Sequence, residues 1–130
     1  MKIKTTDLMP PALTWVVAKC EDRKPGYYKG EVRANATPEF PDSPPMFGPE
    51  LNYPTDWAQG GPIIEREGIC LYINSNGLWE AWLFVYGTDG EEVGRNEANT
   101  PLIAAMRCYV ASKLGEIVEV PSELYKEETK

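Results

Sequence analysis

Residues 101–114 predict a helix that carries almost no charge, and this feature constrains the fold more than any other. Thr100 suits the N-cap, Pro101 the first helical position, and Gly115 the residue just past the end. Large apolar side chains fill one arc, and the opposite face is small: Ala104, Ala105, Cys108, Ala111 and Ser112. A helix without a charged face is usually buried on more than one side. We therefore expect a central, largely buried helix. Its small face would be covered by a long loop of the same chain or by a second copy, as a homodimer through Ala104, Cys108 and Ala111.

The dipeptide Asn76-Gly77 predicts a β-hairpin, because it favours the two-residue turn that joins antiparallel strands. Apolar runs flank this turn at residues 69–73 and 78–86. Both faces of the second run are apolar, so each should be covered by something. A shorter helix is expected at residues 11–20. The expected fold class is α+β, with a small antiparallel sheet packed against the short N-terminal helix and the central C-terminal helix.

Residues 24–62 predict a long ordered loop, because most of the chain's 12 prolines lie there and proline removes backbone donors. The segment contains too many large apolar residues for a disordered linker. One short strand is expected within residues 28–34. We interpret residues 1–130 as a single domain and residues 123–130 as a frayed tail.

The charge balance argues against two classes of partner. The net charge of -7 disfavours direct nucleic-acid binding, which depends on Lys and Arg side chains that neutralise phosphates. It equally disfavours an anionic membrane surface. The longest strongly apolar stretch, residues 81–86, is too short to cross a bilayer, and the N-terminus lacks the apolar core of a signal peptide. We therefore expect a cytoplasmic protein.

The chain has no histidine, which removes the commonest general base and the commonest zinc ligand. The three cysteines show no C-x-x-C spacing and are interpreted as reduced core thiols. Carboxylates such as Asp56, Glu65 and Glu67 are interpreted mainly as solvated surface. No catalytic residue, metal or cofactor is therefore predicted.

The segment around Gly60-Gly61 is the predicted binding site. Consecutive glycines can take positive φ, and their backbone N–H groups could then form an anion-binding nest. Trp57 and Gln59 would add stacking and hydrogen bonding, and Glu65 is part of the same predicted binding segment. The alternative is a loop in which Trp57 plugs the core and the glycines turn the chain into a strand at residues 63–64.

Two arginines extend this predicted site. Arg66 and Arg107 would be the anion partners of the glycine-pair segment. The alternative for Arg107 is a structural ion pair with Glu65 or Glu67.

The sequence resembles the NinX-type family of small accessory proteins of tailed phages and prophages. The two longest matching segments are Trp57-Ala-Gln-Gly-Gly-Pro-Ile-Ile-Glu-Arg-Glu67 and Thr100-Pro-Leu-Ile-Ala-Ala-Met-Arg-Cys-Tyr-Val-Ala-Ser-Lys-Leu-Gly115. Shorter matches lie at residues 1–5, 12–13, 17–20 and 118–121, whereas residues 25–49 match poorly. The resemblance implies a phage origin and a bacterial host cytoplasm, and it supplies no catalytic residues.

Three functions compete on this basis. The leading hypothesis is a non-catalytic phage accessory protein that binds a host or phage protein through its aromatic-rich loops and the glycine-pair segment. The second is a small-ligand or nucleotide-binding protein that uses Gln59-Gly60-Gly61 with Arg66 and Arg107. The third is an acidic nucleic-acid mimic, which would need a stripe of carboxylates.

Overall fold

The computed structural model describes residues 1–28, 30–34, 48–84 and 90–124, and only the backbone of Tyr28. In order, the elements are β1 (Lys2–Lys4), a 3-10 helix (Thr5–Asp7), α1 (Ala12–Cys20), β2 (Gly26–Tyr28), β3 (Glu31–Arg33), α2 (Trp57–Glu67), β4 (Cys70–Ile73), β5 (Trp79–Phe84), β6 (Glu92–Ala98), α3 (Pro101–Leu114) and β7 (Ile117–Glu119). The predicted α+β class is confirmed. Residues 35–47 of the predicted loop, 85–86 of the predicted strand and 125–130 of the predicted tail lie outside the described residues.

The strands of the described residues form three antiparallel sheets, of which the largest has the order β4-β5-β6. Its first turn is the predicted hairpin: Asn74 Oδ1 accepts hydrogen bonds from the N–H groups of Asn76 and Leu78, and Gly77 has φ 78°. Two smaller sheets pair β1 with β7 and β2 with β3. Strands β2 and β3 overlap the region predicted as one strand at residues 28–34.

Strand β6 is absent from the sequence prediction. Its sequence, Glu-Val-Gly-Arg-Asn-Glu-Ala, is mostly polar and lacks the apolar alternation that identifies a strand. The pairing of β5 with β6 shifts register between Ala81 and Leu83, and Gly94 on β6 has φ 72°. A glycine with positive φ suits such a bulge, because it carries no side chain to strain the backbone.

Helix α3 is the predicted central helix, and every residue from Leu102 to Val110 is buried. The Thr100 hydroxyl accepts from the Ile103 N–H at 3.2 Å, as its N-cap position predicts. Helix α3 contacts α1, α2, β5 and β6. Leu102 of its apolar arc lies against Gly60 of α2, and Cys108 of its small face lies against Gly94 of β6. Burial on two sides is therefore confirmed.

The cover of the small face of α3 differs from the prediction. A Cβ placed on Gly94 would lie 2.6 Å from the backbone oxygen of Cys108, so β6 crosses directly over this face. Ala104 and Cys108 have no exposed surface within the single chain. Among the described residues, strand β6 therefore covers Cys108, and Ala104 and Cys108, two of the three residues of the predicted dimer contact, are already buried within the single chain.

Helix α2 replaces part of the predicted loop. Asp56 caps its start, with Oδ1 accepting from the Ala58 N–H at 2.9 Å, and Gly68 ends it in the left-handed region with φ 71°. The turn predicted at Gly60-Gly61 and the strand predicted at residues 63–64 are both wrong. Glycine and proline have low helix propensity, but packing against the rest of the domain overrides it here. Across the residues that the structure describes, no helix combines the length and apolarity needed to span a membrane.

Candidate functional site

The predicted site residues lie in two separate places. One residue, Arg107, is in the middle of α3, and the others all belong to α2: Trp57, Gln59, Gly60, Gly61, Glu65 and Arg66. The structure therefore keeps the predicted segment together but changes its backbone from a turn to a helix. This change decides which chemistry the segment can offer.

Gly60 and Gly61 do not form an anion-binding nest. The Gly60 N–H donates to the Asp56 carbonyl at 2.9 Å within the first turn of α2. Neither glycine is among those with positive φ, which a nest requires. The nest prediction is therefore wrong, because the helix already uses the backbone donors.

The two glycines serve different purposes. A Cβ placed on Gly60 would lie 2.5 Å from the carbonyl oxygen of Tyr53 and 2.6 Å from Cδ1 of Leu102. A Cβ placed on Gly61 would meet nothing closer than Cε3 of Trp57, at 4.0 Å. Only Gly60 is needed for close packing between α2, the chain before it and α3.

Gln59 and Trp57 have opposite environments. The Gln59 side chain accepts from the Asn52 N–H at 2.6 Å and donates to the Glu50 carbonyl at 3.2 Å, so it holds the chain that enters α2. Trp57 is 54% exposed and does not plug the core as one interpretation expected. It borders a groove of about 230 Å³ with Pro54 and Pro101.

The Arg66 guanidinium donates hydrogen bonds to two carboxylates. Its Nη1 and Nη2 donate to the two carboxylate oxygens of Glu21 at 3.0 and 2.7 Å, and its Nε donates to Glu67 at 2.8 Å. Tyr109 lies within 3.2 Å of the same guanidinium, and Lys113 pairs with Glu67 at 3.1 Å. This ion cluster ties the end of α1 to α2 and α3.

The hydrogen bonds of this cluster shift several ionisations. The Arg66 guanidinium lowers the pKa of Glu21 and of Glu67. Burial, followed by the hydrogen bond to Glu21, raises the pKa of Tyr109. Arg66 is thus already paired with negative charge, which weakens its predicted role as an anion receptor.

A cleft of about 300 Å³ brings part of the predicted site together. Gln59 and Arg66 line it with Arg23 and with the buried Tyr53, whereas Trp57 and Arg107 lie elsewhere. Glu21 and Glu50 also line this cleft, so two carboxylates accompany the two guanidinium groups.

Arg107 is buried, and its guanidinium donates hydrogen bonds to backbone carbonyls. Its Nε donates to the Leu8 carbonyl and its Nη1 to the Glu97 carbonyl, each at 2.8 Å. It therefore joins the segment before α1 to β6. Of Glu65 and Glu67, the two carboxylates suggested as its ion-pair partner, Glu67 pairs with Arg66 and Lys113.

The surroundings of Cys20 and Cys108 make their thiols weaker acids. Burial raises the pKa of Cys20 to about 11 and that of Cys108 to about 12, so both thiols are protonated at neutral pH. In the parts of the chain that the structure describes, no three His, Cys, Asp or Glu side chains cluster closely enough to hold a metal ion.

The outer face of the sheet, defined here by Tyr72, Glu80, Trp82, Phe84 and Arg95, is the most distinctive exposed surface. Tyr72 is 47% exposed and Phe84 is 49% exposed. The Tyr72 and Trp82 rings meet edge to face, with centroids 5.6 Å apart, and Arg95 stacks on Trp82 at 4.7 Å. Aromatic rings with an adjacent arginine are typical of protein-binding surfaces.

Charged groups surround these rings. Arg95 bonds to Glu80 at 2.5 Å and to Glu92 at 2.7 Å, while Asn74 donates to both Glu80 and Glu97. The hydrogen bond from Asn74, followed by that from Arg95, lowers the pKa of Glu80, and Arg95 also lowers the pKa of Glu92. The rim carries three carboxylates and one guanidinium, so its charge is negative.

Only half of this surface was predictable from the sequence. Alternation along β5 separated Trp82 and Phe84 from Ala81 and Leu83, but both sides were expected to be covered. In the structure, α3 contacts β5 while Ala81 and Leu83 are buried. The charged rim was missed because it belongs largely to β6, the strand whose polar sequence gave no periodic signal.

One comparison with known proteins gives a match. A family model described as bacteriophage P22, NinX matches residues 4–113 of the chain. A search of the curated proteins finds no match.

Proposed function

Since the chain belongs to the family of the bacteriophage P22 NinX protein, we propose that it is a non-catalytic phage accessory protein that binds another protein. The partner would be a host or phage protein in the cytoplasm of the bacterial host. The observation that carries this proposal is the outer face of the sheet. Contiguous apolar patches on a protein surface often mark binding sites, and this face groups Tyr72, Trp82 and Phe84.

The chemistry of the outer face suggests what kind of protein it binds. Tyr72, Trp82 and Phe84 supply large apolar area, and the edge-to-face contact between Tyr72 and Trp82 holds these two rings in place. Glu80, Glu92 and Glu97 leave the rim negative even after Arg95 is counted. The partner therefore presents an apolar centre with a basic rim, and the net charge of -7 favours its approach.

Trp57 provides a second exposed aromatic side chain, at the start of α2. It belongs to the segment that the sequence analysis singled out as the partner contact. The groove beside it has a volume of about 230 Å³ and carries no charged residue in its lining. We therefore assign the main contact to the outer face and treat Trp57 as the competing site.

Site-specific photo-crosslinking in phage-infected cells tests this assignment. A benzophenone side chain at position 84 should capture one defined protein, and Tyr72→Glu should abolish that capture in a folded protein. Position 114 is the matched control, because Leu114 is equally exposed at the far end of α3. Equal capture from positions 84 and 114, or capture from position 57 alone, would contradict the assignment to the outer face.

A small-ligand function is the second candidate. The cleft beside Gln59 contains the guanidinium groups of Arg23 and Arg66 and the side chain of Tyr53, which could hold a nucleotide or another anion. If so, a nucleotide in a thermal-shift screen should raise the melting temperature of the protein and leave the melting temperature of the Arg23→Gln variant unchanged. A screen without any shift would rule out this candidate.

A further inference from the structure

The two edges of the sheet β4-β5-β6 differ in how they are protected. An edge strand exposes unpaired backbone N–H and C=O groups, and proteins usually guard such an edge with charge, proline, a bulge or a covering group. Strands β6 and β4 form the two edges of this sheet.

The β6 edge is guarded in three ways. It bears charged side chains, including Glu92, Arg95 and Glu97. Its pairing with β5 is interrupted by a register shift beside Gly94. Arg107 also donates to the Glu97 carbonyl, so a side chain from α3 already occupies this backbone acceptor. These features make β6 a poor template for another strand.

Within the described part of the chain, the β4 edge has none of these protections. Its sequence, Cys-Leu-Tyr-Ile, contains no charge, proline or glycine, and its pairing with β5 runs without a register shift. Among the described residues, β5 is the only strand that pairs with it. Ile73 is 53% exposed and Tyr72 is 47% exposed, so apolar surface accompanies the open edge on both sides of the strand.

From this difference we propose that β4 pairs with β4 of a second copy of the chain, antiparallel and about a two-fold axis at Leu71. Leu71 then lies opposite Leu71 of the second copy, Cys70 opposite Tyr72, and Ile73 opposite Ile69. The two three-stranded sheets become one sheet of six strands.

The register follows from the alternation of side chains. Cys70 and Tyr72 pair with Trp82 and Glu80 and so share the outer face, whereas Leu71 and Ile73 pair with Ala81 and Trp79 on the inner side. Pairing about Leu71 places outer side chains opposite outer ones, and a slip of one residue would reverse them. This register also places the uncharged residues 69–73 of one copy opposite the same residues of the second copy.

A second copy suits this edge better than a foreign basic segment. No carboxylate lies along β4 to select a basic partner, unlike the rim of the outer face. A second copy supplies an uncharged strand of equal length, so two chains of net charge -7 place no like charges directly opposite each other there. The pairing also joins the two outer faces into one continuous aromatic surface.

The interface is short, so the dimer should be weak. Five residues from each copy bury less area than the standard stable interface, which predicts a dissociation constant on the order of 10 to 1,000 μM. Sedimentation equilibrium over about a hundredfold range of concentration should show a monomer–dimer equilibrium. Ile73→Lys should shift it to monomer, while Leu114→Lys, a charge at an equally exposed position outside the sheet, should not.

Disulfide trapping tests the register in the same protein. With Cys70→Ser as background, Leu71→Cys should crosslink to itself across the two-fold axis under mild oxidation. Ile73→Cys should not, because four residues of strand separate it from its own copy, roughly 13 Å. A monomer at every concentration, a dimer that survives Ile73→Lys, or equal crosslinking at 71 and 73 would overturn the proposal. Because Ile73 is not on the outer face, each of these results is independent of partner binding there.

Discussion

The inner and outer sides of the sheet β4-β5-β6 use similar side chains for different purposes. On the inner side, Ala81 and Leu83 are buried beneath α3, and Gly94 lets the backbone of β6 come close to Cys108. On the outer side, Trp82 and Phe84 belong to the same strand and are at least as apolar, yet Phe84 remains half exposed. Apolar character alone therefore does not separate the residues that stabilise this domain from those available to a partner.

The largest expected difference is between Leu83 and Phe84, which are neighbours on β5. Leu83→Ala leaves a cavity beneath the sheet and should lower the free energy of unfolding by about 2–5 kcal/mol. Phe84→Ala should lower it by less than about 1 kcal/mol, because half of the ring is already in water. Urea unfolding of the two variants measures both. Equal losses would mean that the outer face is packed as tightly as the inner one.

Gly94 tests how closely the inner side is packed. Gly94→Ala adds a Cβ 2.6 Å from the Cys108 backbone oxygen, at a residue whose φ of 72° disfavours a side chain. The free energy of unfolding should fall by about 2–4 kcal/mol. Gly77→Ala is the control, since φ is 78° there but a Cβ would meet nothing within 4 Å. It should lose only about 1 kcal/mol, from backbone strain alone.

Gly60 and Gly61 of α2 also differ in packing: a side chain at position 60 would be crowded, and one at position 61 would have space. Gly60→Ala should destabilise the protein by about 1–3 kcal/mol, because the new Cβ would collide with the Tyr53 carbonyl and with Leu102. Gly61→Ala should instead stabilise it by roughly 0.5–1 kcal/mol, since alanine is the better helix former and space is available. Thermal unfolding distinguishes the two signs. A stabilising Gly60→Ala would show that α2 and α3 are not in close contact.

The smallest expected effect is the pH dependence of the ion cluster around Arg66. Its hydrogen bonds lower the folded-state pKa of Glu21 and Glu67 below 4.5. This stabilisation is therefore fully present above the unfolded-state pKa and is lost as the pH falls through the folded-state pKa. Melting temperatures measured below about pH 4.5 should fall less steeply for Arg66→Gln than for the parent. Solvent screening should keep the difference below about 1 kcal/mol.

Local signals predicted some elements well and missed others for physical reasons. Thr100, Pro101 and Gly115 marked α3, and Asn76-Gly77 marked the hairpin, because caps and turns depend on a few adjacent residues. Helix α2 was missed because Gly-Gly-Pro is a poor helix sequence, and its packing against residues distant in the chain, such as Leu102, offsets this low propensity. Strand β6 was missed because its polar residues form the rim of a surface that does not exist until the sheet is built.

The candidate site shows the same limit. The sequence identified the α2 segment as unusual, and Gln59 and Arg66 do line one cleft. It could not show that Arg66 is held by Glu21 and Glu67, since Glu21 is 45 residues away in the chain. Nor could it show that Phe84 is exposed while Leu83 is buried.

The close approach at Gly60 has a consequence for how this family can vary. Any side chain at this position must displace the backbone of Tyr53, so substitutions there should be removed by selection whatever the protein binds. Position 61, one residue later on the same helix, is free to change. Across related phages, glycine should therefore be nearly invariant at position 60 and replaceable at position 61.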